Sequence, residues 1–195
     1  MIKPLVAAIC LGAAALPLAS QAEGPYFGVT GLYADRPGYD DVDGSWGGTV
    51  FAGYRFSPLP LYIEASYINT GDADVDPGYY DNERLKLNFS GYTVGLGYFL
   101  PLTTYGSGIF ARASYYGGDT KLKTPDDPTS HSQKQSTSGA SIAVGGDWKW
   151  TPTMGLRFEY ENLIEPDDFA NDENIGLWKV GLIFDFPTVQ SSSRY

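Results

Sequence analysis

Trp178-Lys179-Val180-Gly181-Leu182-Ile183-Phe184-Asp185-Phe186 reads as a strand with two unlike faces. Side chains alternate sides along a strand. Trp178, Val180, Leu182, Phe184 and Phe186 therefore share one face, and Lys179, Gly181, Ile183 and Asp185 the other. The first face is wholly apolar; the second carries both charges.

The same division recurs upstream. Met154, Leu156, Phe158 and Tyr160 oppose Gly155, Arg157, Glu159 and Glu161. Ala140, Ile142, Val144, Trp148 and Trp150 oppose Ser141, Asp147 and Lys149. Ile109, Ala111, Ala113 and Tyr115 oppose Phe110, Arg112 and Ser114, and Leu61, Ile63, Ala65 and Tyr67 oppose Tyr62, Glu64 and Ser66. Trp46, Val50, Ala52, Tyr54 and Phe56 oppose Thr49, Phe51 and Arg55. Strands are predicted near 25–34, 46–57, 61–69, 88–100, 106–117, 137–150, 154–163 and 174–186. The reading is all-β, an eight-stranded antiparallel up-and-down barrel.

The location of the charge decides what surrounds it. Arg55, Arg112, Lys149, Arg157 and Lys179 stand on the polar faces against Glu64, Asp147, Glu159, Glu161 and Asp185. A charge on a lipid face costs about 2–4 kcal/mol at mid-bilayer. The charged faces are thus assigned to a lumen and the apolar faces to lipid. A polar face turned to water on a soluble sandwich would also alternate. Two features weigh against it. The ten charges balance, as a narrow interior requires of buried ions. Aromatic rings also collect at both ends of the apolar faces. Tyr54, Phe56, Tyr98, Trp148, Trp150, Phe184 and Phe186 lie near one end, and Tyr33, Trp46, Tyr67, Tyr115 and Tyr160 near the other. Bilayer interfaces select such girdles.

Composition agrees. The 195 residues suit one domain, and a mean hydropathy of -0.21 with 18% charged residues is too polar for a bundle of membrane helices. Fifteen Tyr and 24 Gly suit β-structure with tight turns. Connectors alternate in length. Ser57 to Pro60, Pro101 to Tyr105 and Thr151 to Thr153 are short, whereas 35–45, 70–87, 118–136 and 164–173 are long. Short periplasmic turns and longer external loops have this asymmetry, which puts both termini on the periplasmic side.

Lys3 followed by the apolar Leu5 to Ala19 and by Ser20-Gln21-Ala22 reads as a signal peptide over 1–22. The barrel is then expected over 23–186, with a short tail over 187–195. The one cysteine, Cys10, follows the bulky Ile9 inside the leader, so neither lipidation nor a disulfide is expected.

Lys179, Gly181, Phe184 and Phe186 resemble the terminal β-signal by which outer-membrane proteins are recognised for assembly. With the eight-strand pattern, residues 25–186 resemble the OmpA/OmpX-like small outer-membrane β-barrel family. The resemblance implies residence in the Gram-negative outer membrane and recognition by the barrel-assembly machinery. Outer-membrane lipid and lipopolysaccharide are the other expected partners, and a monomer is the expected state. Pro187 to Tyr195 extends beyond the final aromatic, where barrels of the family usually stop.

An eight-stranded lumen is just wide enough for side chains to fill it. Glu64, Arg112, Arg157, Glu159 and Lys179 are therefore expected to form an ion-pair network that plugs the barrel, as family members do. Structural pairing without a gating role is the other reading. Inward Phe51, Tyr62, Phe89, Phe99, Phe110 and Tyr116 favour a blocked lumen.

Two function classes follow: a structural, surface-interacting barrel with acidic external loops, or a small passive pore for small or apolar solutes. Catalysis is not expected. Ser130-His131-Ser132 holds the single histidine, but in a polar segment read as loop, with Ser and His adjacent and not two apart on a lipid-facing strand as in lipid A deacylases. Asp35, Asp40, Asp41 and Asp43 and the acidic 165–173 segment lack calcium-loop spacing and read as a solvated rim. No cofactor is expected. The net charge of -10 argues against nucleic acid as a partner.

Overall fold

Alternation of this kind buries nothing on a flat sheet; it is satisfied when the sheet closes on itself. The computed structural model describes residues 24–35, 44–56, 59–75, 85–123, 133–164 and 174–186. Eight strands follow one another: β1 (Gly24–Asp35), β2 (Ser45–Arg55), β3 (Leu61–Val75), β4 (Leu85–Pro101), β5 (Gly108–Lys123), β6 (Gln133–Thr151), β7 (Met154–Ile164) and β8 (Ile175–Asp185). Each pairs antiparallel with its neighbours in sequence, and β1 pairs with β8. Closure leaves no edge strand with unpaired backbone groups, which hydrocarbon would not satisfy.

The expected faces are the observed ones. Trp46 is 76% exposed and Trp148 69%, and Val50, Tyr67, Leu96, Ile109, Ile142 and Trp178 are each more than half exposed on the outside. Inside, Arg157, Glu64, Glu161, Tyr62 and Tyr116 are fully buried. The barrel is inverted with respect to a soluble fold, with apolar side chains out and charges in.

The turns use local chemistry. Between β4 and β5, Leu102 N–H donates to the Ser107 carbonyl at 2.7 Å, and Gly106 takes a φ of 82° to reverse the chain. Residues 70–87 and 118–136, expected as loops, are in part strand. β3 runs to Val75, β4 begins at Leu85, β5 runs to Lys123 and β6 begins at Gln133. There the ladder continues through polar pairs such as Asp72↔Asn88 and Asp119↔Ser136, after a bulge between Asn69 and Asp72. Backbone pairing needs no apolar alternation, so these extensions give no periodic signal.

The interior is layered. Tyr26, Phe51, Tyr62, Phe99, Phe110 and Ile183 cluster toward the end with the short turns. Leu32, Ala34, Ile68, Phe89, Tyr116, Leu163, Ile175 and Leu177 fill the lumen toward the loop end. The charged side chains lie among and between these clusters.

Candidate functional site

Strand register places the first ion pairs. Asp147 on β6 faces Arg157 on β7, and Glu159 on β7 faces Lys179 on β8. Arg157 grips Asp147 with two bonds, Nε to Oδ1 at 2.8 Å and Nη2 to Oδ2 at 3.1 Å. Lys179 Nζ donates to Glu159 Oε1 at 3.0 Å and also reaches Glu161.

Other pairs skip a strand, which needs room in between. Arg112 on β5 binds Glu64 on β3 past Gly95 and Gly97 of β4, which carry no side chains to block it. Its Nη2 reaches Glu159 Oε1 at 2.9 Å past Ala143 and Gly145 of β6. Curvature supplies the remaining contacts. Arg157 Nη1 meets Glu64 Oε2 at 2.5 Å from across the lumen. Arg55 bonds Asp147 at 2.6 Å and also Asp185, which takes Lys149 at 2.5 Å.

The result is one continuous chain of alternating sign: Lys149, Asp185, Arg55, Asp147, Arg157, Glu64, Arg112, Glu159, Lys179, Glu161. Neutral groups take up spare hydrogen-bonding capacity. Tyr26 Oη donates to Glu64 at 2.8 Å and Ser141 Oγ to Glu161 at 2.6 Å. Rings pack against the guanidinium groups: Arg157 lies 4.4 Å from the Phe51 centroid and 4.6 Å from that of Phe110. Arg55 lies 4.4 Å from the Phe99 centroid. Buried ions are tolerable only when paired and hydrogen-bonded on all sides. What such an arrangement does chemically is exclude water and hold the interior in one packing.

The family model for the outer membrane protein beta-barrel domain matches residues 5–186. The chain belongs to this family. It is an outer-membrane β-barrel protein, and the hydrocarbon-facing surface described above is the one its membrane requires. Among solved structures, the barrel is similar to the outer membrane protein OprG from Pseudomonas aeruginosa, with a TM-score of 0.61 at 13% identity over 87% of this chain and 99% of that one. It is similar to Neisserial surface protein A, with a TM-score of 0.60 at 15% identity over 84% and 97%. It is also similar to Ail of Yersinia pestis, solved with the heparin analogue sucrose octasulfate, with a TM-score of 0.55 at 16% identity over 84% and 97%. These likenesses concern the fold. No curated protein matches the chain.

The barrel brings Glu64, Arg112, Arg157, Glu159 and Lys179 into direct contact. It adds Arg55, Asp147, Lys149, Glu161 and Asp185, which the sequence reading put on the polar faces but not in the network. Shared face and balanced sign were the available signal for them. Of the β-signal residues, Lys179 belongs to the network and Gly181 lies at the β1–β8 seam. Phe184 and Phe186 stack on Phe27, at 5.1 Å and 5.6 Å between centroids. Ser130-His131-Ser132, Asp40, Asp41, Asp43 and the 165–173 segment lie outside the described residues, as do the leader and tail. Among the described residues, no group of acids, histidines or cysteines is arranged to hold a metal.

Proposed function

We propose that the protein is a sealed outer-membrane barrel with a structural and surface-interaction role, its termini periplasmic and its acidic loops external. The observation that carries this reading is the filled lumen. The alternating chain of ten charges spans the interior, and the Leu32–Leu177 cluster covers it toward the loops. A barrel packed in this way has its exterior and loops left to work with. In this reading it is not an enzyme; lipid turnover by the purified barrel would overturn that part. Recognition is within the repertoire of the fold, since Ail was solved with a heparin analogue bound. Lys179, Gly181, Phe184 and Phe186 would serve the assembly machinery before they serve the folded barrel.

Conductance across a planar bilayer tests the seal. The wild-type barrel is expected to conduct ions poorly. Arg157→Ala removes the partner shared by Asp147 and Glu64. It should raise conductance and destabilise the barrel by about 3–5 kcal/mol, the usual effect of stranding buried charge. A wild type as conductive as an open pore would favour the small-pore reading. Unchanged conductance in a folded Arg157→Ala barrel would remove the network's role as a plug.

A further inference from the structure

The outside of the barrel is not evenly covered. A concave apolar slot of about 880 Å³ opens on the lipid-facing surface across β4 to β8. The small or short Ala111, Val144 and Gly146 and the large Tyr98, Phe158 and Trp178 are among the residues that line it. A second hollow, of about 440 Å³, shares Gly146 and Phe158 and leads to the β4–β5 turn at Thr103, Tyr105 and Ser107. Together they form a mostly apolar groove that runs from the turn end, where Thr103 and Ser107 line it, to Tyr160 and Trp178 near the loop end.

Gly146 is the informative residue. Its neighbour Gly145 faces inward and is required, because a Cβ there would sit 2.3 Å from the Phe158 carbonyl and 2.6 Å from the Phe110 ring. Gly146 faces outward under a milder constraint. A Cβ would meet the Gly108 carbonyl at 3.3 Å and Ile109 at 3.9 Å, and its φ lies outside the left-handed region. A glycine inside a strand weakens it and often marks a close approach by something else. Register puts it between Ile109 and Phe158, so its missing side chain is what leaves the groove open. Gly31 and Gly48 also face outward with room for a Cβ, but they line neither hollow.

We infer that this groove is a binding site for one glycerophospholipid, with an acyl chain in the slot and its ester region at the Thr103–Ser107 turn. Its surroundings in the membrane are hydrocarbon, and a concave apolar channel fits a single chain better than the convex face of a second barrel. The hydroxyl-bearing Thr103 and Ser107 line the groove's end beside Trp148, an interfacial ring at the level where a head group begins. The lipid class rests on the periplasmic placement of the turn end proposed above; the acyl-chain slot does not.

The test is native mass spectrometry of the full barrel reconstituted with palmitoyl-oleoyl phosphatidylethanolamine and lipid A, then stripped with detergent. The wild type should retain one phospholipid per chain. Gly146→Leu and Ala111→Leu, each filling the slot from outside, should retain it about tenfold less. The gel shift on boiling confirms that each variant folds, and either one suffices if the other does not. Equal retention by wild type and a folded variant would overturn the site. Retention of lipid A by the wild type would overturn the lipid class and the orientation but keep the slot. A dimer mass lost in the variants would assign the groove to a second copy of the chain and overturn the lipid.

Discussion

At position 181 the barrel has no space for a side chain. A Cβ there would lie 2.0 Å from the Val29 carbonyl, which is backbone and cannot rotate away. The residue that resembles part of an assembly signal is thus also demanded by the closed sheet. Gly181→Leu is expected to prevent closure of the β1–β8 seam, so the variant should lose the heat-dependent gel shift and be degraded in cells. A Gly181→Leu barrel that still shifts on boiling would show that the seam can give. Charged residues were easier to read. Arg157 could be put on an inward face by counting alternate positions, but its bidentate hold on Asp147 depends on the β6–β7 register.

Among the elements, β8 has two duties. Its inner face contributes Lys179 and Asp185 to the network, and its outer face packs on β1. Phe27 lies between Phe184 and Phe186, stacked on both with interplanar angles of 20° and 17°. Each such pair contributes about 0.5–1.5 kcal/mol beyond burial. Phe27→Ala should therefore lower the unfolding free energy by roughly 1–3 kcal/mol, read as an earlier midpoint in urea for the barrel in detergent micelles. No change in midpoint would mean the stack follows closure without supporting it. The strand ends were the least legible feature. β3 to β6 extend past their apolar alternation on polar pairs alone, and polar residues in a strand look like polar residues in a loop.

The barrel is expected to unfold as a unit, because its ladder has no edge at which fraying can begin and its charges are linked in one chain. Unheated protein from the outer-membrane fraction should migrate differently from boiled protein on a detergent gel. Identical migration, with the protein in the soluble periplasmic fraction, would mean that the apolar face is not lipid-facing.

The sequence by itself determined the strand count, the face of each of the ten charges on the alternating segments, and the inversion of apolar and polar sides. The physical reason is that alternation and the cost of charge in hydrocarbon are local properties, readable two residues at a time. Three things were decided only by the tertiary structure. Which acid meets which base depends on register and on small residues, such as Gly95 and Gly97, that leave space between non-adjacent strands. The inward apolar cluster of Leu32, Ile68, Leu163 and Leu177 draws on four strands, and no one of them reveals it. The groove at Gly146 exists because three strands bring one missing side chain between two large ones, and only a closed, registered sheet does that.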